Sequence, residues 1–102
     1  MTSQGNGQPA VYDVQISGQD RALLKQRHRE AAQAGKGKKF LAALRQILGR
    51  LRDEPLVFGE PLYRLPALRL LVRQAVVLPL VVDYAVHEER RLVFVRGFKV
   101  LS

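Results

Sequence analysis

The chain has no cysteine, which rules out disulfide staples and thiolate metal sites and leaves the redox compartment unsignalled. It also lacks an uninterrupted apolar run long enough to cross a membrane as a helix. The most apolar stretch, Leu70 to Val86, is broken by Arg73, Gln74 and Asp83 and carries Pro79 inside it. A spanning helix needs ~20 mostly apolar residues. The opening residues MTSQGNGQPA contain neither the basic nor the apolar region of a signal peptide. Their composition predicts a flexible tail over residues 1–10, and a cytoplasmic protein is the default expectation. A phosphate-binding loop is missing too, because Gly37-Lys38 is followed by Lys39 where the G-x-x-x-x-G-K-S/T pattern needs a hydroxyl. His28 and His87 alone make no metal motif. No metal, no small-molecule cofactor and no membrane contact are expected.

What the chain does contain is a concentrated positive charge. Of 102 residues, 47% are hydrophobic, enough for one compact domain over residues 11–102. The formal charge is +8. Between Gln19 and Arg52 there are ten Lys and Arg against two acids, Asp20 and Glu30, while the remainder holds seven of each sign. The whole surplus therefore lies on one segment. Such a surface attracts polyanions, whether RNA, DNA or an acidic protein; the plainer reading is solubility. Lys36, Lys38, Lys39, Arg45 and Arg50 are the residues singled out for that role.

In chain order, Val11 to Ser17 alternates as a half-buried strand does. Ser17 with Asp20 reads as a variant capping box opening a helix over about Gln19 to Ala34. Leu24, His28 and Ala31 line its apolar stripe, and Arg21, Lys25 and Arg29 face solvent. Gly35 to Lys39 makes a tight reversal. Phe40, Leu44, Ile47 and Leu51 then recur at helical spacing, with Leu41 and Leu48 alongside, until Asp53-Glu54-Pro55 stops the helix. Leu62 to Leu65 reads as a short strand and Pro66-Ala67 as a break. Strands follow over about Leu68 to Val77, Leu80 to His87 and Arg91 to Leu101, with a turn or bulge at Leu78-Pro79 and a hairpin loop over Glu88 to Arg91. The expected fold is α+β, β-α-α-β-β-β(-β), with a helical hairpin on one face of an antiparallel-rich sheet.

This order resembles the RelE/ParE toxin superfamily. The residues that carry the likeness are Leu51-Arg52-Asp53-Glu54-Pro55, then Gly59-Glu60-Pro61-Leu62-Tyr63-Arg64-Leu65, Val81-Val82-Asp83-Tyr84-Ala85-Val86, and the terminal Val93-Phe94-Val95-Arg96-Gly97-Phe98-Lys99. The resemblance implies one of two activities, mRNA cleavage in the ribosome or inhibition of DNA gyrase by binding, and an antitoxin whose extended segment wraps the toxin. The arginine that RelE-like members carry ahead of the tyrosine landmark falls here near Leu80 or Val81, both aliphatic. The terminal His-Arg pair corresponds to Phe98-Lys99.

RNA cleavage by its own 2′-OH needs a base, an acid and cations for the phosphorane charge. The candidates that remain are Arg73, Tyr84, Arg96 and Lys99, with Tyr63 and Arg64 on the earlier strand. Each has a structural alternative. Tyr84 fits a core tyrosine with its hydroxyl at the rim. Arg73 interrupts an apolar strand and is expected at the open face or the edge. Arg96 and Lys99 fall on different faces of a regular strand unless a bulge at Gly97 re-aims one. His28 reads as packed and His87 as a turn residue. Three functions follow: a toxin-module protein acting by binding, with its ribonuclease site degraded; a divergent mRNA endonuclease; or a non-toxic nucleic-acid-binding or interaction module of the same fold.

Overall fold

The computed structural model describes residues 11–101, so the expected tail over residues 1–10 lies outside them. The order is β1 (Asp13–Gln15), α1 (Gly18–Gln33), α2 (Gly37–Asp53), β2 (Glu60–Leu65), a 3-10 turn (Pro66–Leu68), β3 (Leu70–Val77), β4 (Leu80–His87) and β5 (Leu92–Val100). The five strands form one mixed sheet in the order β1-β5-β4-β3-β2. All pairs are antiparallel except β1 with β5. Both helices pack against the sheet, so the α+β reading holds.

Local chemistry explains the boundaries. The Ser17 hydroxyl accepts from the Asp20 amide at 3.0 Å, the N-cap that opens α1. Gly35, at φ 76°, reverses the chain after Ala34. At Gly37 a Cβ would lie 3.2 Å from both Cα and Cβ of Ala32, so the two helices meet closely at the closed end of the hairpin. α2 buries Phe40, Ala43, Ile47 and Leu51, while Leu44 packs against the core from its margin. The expected stripe thus runs slightly off Leu44, with Ala43 fully inside.

Two strands are shorter than their patterns suggest. β1 pairs only over Asp13–Gln15, against Leu92–Phe94, because the Tyr12 amide donates to Arg52 O at the end of α2. β3 starts at Leu70 rather than Leu68. Pro66 opens the 3-10 turn and Arg69, at φ 55°, ends it. The Leu78–Pro79 step, a cis peptide, is a tight turn between β3 and β4.

In the last strand pair Asp83 faces Gly97 but Tyr84 faces Val95, so Arg96 is an extra residue. A bulge beside Gly97 is the condition under which Arg96 and Lys99 come to share a face. It decides which face each later side chain takes. The core lies between the helices and one sheet face, where Val82, Tyr84, Val86, Val93 and Val95 meet Phe40, Ile47 and Leu51.

Candidate functional site

The cross-strand register divides the four catalytic candidates between the two sheet faces. Arg73 and Tyr84 are directly opposed on β3 and β4. Tyr84 belongs to the core beneath the helices, so its partner Arg73 faces that layer too. Arg73 was expected at the open face or the edge; instead it is 7% exposed and sits under the loop between α2 and β2. Its guanidinium donates to Phe58 O at 3.1 Å and to Gly59 O at 3.0 Å. The Tyr84 hydroxyl lies at 2.8 Å from Pro55 O and also reaches Phe58 O.

These bonds explain how polar groups are tolerated in an apolar layer. A buried loop carbonyl without a partner is destabilising, and Arg73 and Tyr84 supply the donors. Phe58 is stacked on Tyr84 with centroids 6.2 Å apart, and the Arg50 guanidinium lies 4.8 Å from the Phe58 ring. Gly59 completes the joint. At φ 72° it occupies the left-handed region, and a Cβ there would lie 2.5 Å from Gln74 O. Burial raises the Tyr84 phenol above its ordinary pKa, against the lowering influence of Arg73 and Arg50. Tyr84 is therefore a protonated donor at neutral pH, and its proton is engaged.

Arg96 and Lys99 take the opposite, helix-free face. Lys99 pairs with Val81, and Tyr63 pairs with Val72, in the register that points away from the helices. The Arg96 guanidinium donates to the Tyr63 hydroxyl at 2.6 Å. These residues stand on β5 and β2, with β4 and β3 between them. Three strand spacings amount to about 14 Å, so the two side chains reach across the sheet toward each other. Beneath that span, Val72 and Ala85 are 1% and 2% exposed although no helix covers them. Lys99 borders a hollow of about 150 Å³ with Val81, Asp83 and Gly97, and Gln74 holds the Asp83 carboxylate at 2.8 Å. Arg64 is paired with Glu88 across the strand ends. The structure brings Arg73 to Tyr84 and Arg96 to Tyr63, but not the four candidates together.

The basic set divides as well. Lys36, Lys38, Lys39 and Arg45 are exposed. Arg50 is not available in the same way, since it is packed over Phe58 and paired with Glu54. Two grooves meet at Lys36 and Pro79: one of about 440 Å³ runs along α2 past Lys39 to Val77 and Leu78. The other, of about 550 Å³, runs below α1 to Phe98, Lys99 and Leu101. The first groove carries Lys36 and Lys39 on its rim, and the second carries Lys36, Lys99 and the Arg27–Glu30 ion pair. Three further cations, Arg21, Lys25 and Arg29, face solvent on α1; their i, i+4, i+8 spacing is the signal that places them in one row.

No known protein family, curated protein sequence or solved structure matches this chain. Among the described residues, no cluster of His, Cys, Asp or Glu is able to hold a metal ion, and no helix is long and apolar enough to cross a membrane.

Proposed function

We propose that this chain is a RelE/ParE-like toxin-module protein that acts by binding rather than by cutting RNA, and that an acidic antitoxin neutralises it. One observation carries the non-catalytic part. Arg73 and Tyr84 are engaged with the backbone carbonyls of residues 55–59 on one sheet face, and Arg96 and Lys99 stand on the other. A base, an acid and a cation must lie within hydrogen-bond reach of one phosphodiester to cleave it; these four do not converge. The toxin-module part rests on the element order and on the landmarks around Pro55, Tyr84 and Arg96. Support for an acidic partner comes from the groove along α2 rimmed by Lys36 and Lys39, and from the net positive charge of the helical segment. The target is a large assembly such as gyrase or the ribosome.

The test is induction in a bacterium, with growth followed alone and with any small acidic reading frame found beside its gene co-expressed. Growth arrest relieved by that frame, with cellular mRNA intact, is the expected result. Absence of any growth effect, with or without the partner frame, would sink the toxin reading.

One observation favours a second reading, the mRNA endonuclease. Arg96, Tyr63 and Lys99 share the helix-free face, and Arg96 touches the Tyr63 hydroxyl. Ribosome-dependent cleavage that disappears in Lys99→Ala and Arg96→Ala would establish it. Cleavage unchanged in both would remove this site from consideration.

A further inference from the structure

The outer side of the helical layer carries two rows of cations, and they line the seam between α1 and α2. On α1, Arg21, Lys25 and Arg29 repeat every four residues and are exposed. They share a helix face with Ala32, because residues 3, 7 and 11 positions apart lie within a fraction of a turn of one another. Ala32 is the residue that meets α2 at Gly37, so this row borders α2. On α2, Lys38, Arg45 and Arg52 repeat every seven residues and are likewise exposed. Between that row and the buried stripe stand the half-buried Leu41, Leu44 and Leu48, which form the floor of the seam.

Little within the protein neutralises these rows. Arg52 makes only a loose 3.7 Å contact with its neighbour Asp53, and Arg21 reaches Ile16 O at 3.4 Å. Among the described residues, none of the ion pairs involves Lys25, Arg29, Lys38 or Arg45. At a rise of 1.5 Å per residue the α1 row spans about 12 Å and the α2 row about 21 Å.

We infer that this seam is a binding site for double-stranded DNA, which it grips by the two phosphate rows flanking the minor groove. Two features select the ligand. The helical layer has two aromatic rings, Phe40, which is fully buried, and His28, which is half-buried and tilted against it; binders of single strands rely on exposed aromatics for base stacking, whereas a duplex turns its phosphates outward. The rows also stand on neighbouring packed helices, whose axes are ~8–10 Å apart. Lysine and arginine side chains on neighbouring helices are long enough to reach the phosphates on both sides of the narrow minor groove of B-form DNA, ~6 Å wide, whereas the wide, shallow minor groove of A-form RNA sets its phosphate rows further apart. With no side chain placed to read base edges, binding is independent of sequence. The inference does not depend on the toxin reading, since it concerns the purified chain and makes no demand on growth.

The test measures affinity of the full chain for a 20-base-pair DNA duplex by fluorescence anisotropy across a salt series. A steep loss of affinity with salt is expected, and each cation neutralised in the seam lowers the slope of log K against log salt by about 1. The double variants Lys25→Gln/Arg29→Gln and Lys38→Gln/Arg45→Gln each weaken binding and flatten the slope by about 2. Arg69→Gln/Arg90→Gln removes the same charge from the loops that flank β3 and β4, outside the helical layer, and leaves affinity and slope near those of the parent. Thermal melts of all three variants confirm folding. Equal losses in all three would overturn the site, because net charge alone would then account for binding. Equal or tighter binding of an RNA duplex or a single strand of the same length would overturn the ligand. Competition by polyglutamate at the same charge concentration would instead assign the seam to an acidic protein.

Discussion

Arg73 and Tyr84 face each other across adjacent strands and both donate toward one acceptor, the carbonyl oxygen of Phe58. That oxygen belongs to a loop 15 residues before Arg73 and 26 before Tyr84. The pair fastens the exit of α2 to the middle of the sheet. Its role is testable through stability. Tyr84→Phe leaves the ring in place and removes the donor, which costs about 1–3 kcal/mol for an acceptor left short of a partner. Arg73→Met, which deprives two carbonyls of a charged donor, is expected to cost as much or more. Urea unfolding of both variants measures this; changes below about 0.5 kcal/mol in both would show that the clamp is not structural.

The same tyrosine gives the protein a pH-sensitive limb. Because burial raises the Tyr84 pKa above its ordinary 10.0, the unfolded chain loses this proton first as pH rises. The stability associated with the protonated form is fully present below the unfolded value and is lost as pH climbs from there through the raised folded value. Melting curves recorded between pH 8 and pH 11, within the reference range of a free phenol at ~10, should show a falling limb that is shallower in Tyr84→Phe. Parallel curves for parent and variant would contradict it.

Gly59→Ala is expected to be among the most damaging single changes. The position has φ 72°, and an added Cβ would lie 2.5 Å from Gln74 O and 2.9 Å from Ala75 Cβ. Neither neighbour is the end of a flexible side chain. Left-handed backbone strain alone is worth about 1–3 kcal/mol, and the clash adds to it. By contrast Gly49→Ala, with nothing within 4 Å of the new Cβ, should stabilise α2 by up to about 1 kcal/mol. Differential scanning calorimetry on both variants gives the comparison, and a tolerated Gly59→Ala would refute the geometry.

Across the helix-free face, the Arg96–Tyr63 contact is partly exposed and should matter little for stability. Tyr63→Phe removes the hydroxyl at 47% residue exposure, and a loss under about 1 kcal/mol is expected. If the chain cleaves RNA through this face, the same variant lowers the cleavage rate far more than it lowers stability. Equal, small effects on both would identify the contact as a cover for Val72 and Ala85.

Much of the fold was legible in the residues themselves. Ser17 with Asp20, the glycines at 35 and 37, and Pro55 set the helix ends through backbone chemistry that acts within a few positions. The apolar runs and the breaks at Leu78-Pro79 and Glu88 to Arg91 marked the strands of the meander, and Gly97 marked a place where a bulge re-aims a side chain. The candidate site was legible only in part. Arg73 and Tyr84 pair across the two-residue turn at Leu78-Pro79, but which face of that hairpin turns to the helices depends on packing against Phe40, Ile47 and Leu51, far away in the chain. The row Arg21, Lys25, Arg29 was visible as a spacing, but not the direction in which it points.

The sequence by itself determined the element order, the placement of the whole positive surplus on the helical segment, and the absence of thiol chemistry, because these follow from composition and local backbone preference. Only the tertiary structure decided that Arg73 and Tyr84 share one sheet face while Arg96 and Lys99 share the other. Strand pairing and a single extra residue at Arg96 set those faces. A one-residue change of register turns every later side chain over, and which face of these hairpins meets the helices is set by packing against Phe40, Ile47 and Leu51, tens of residues away.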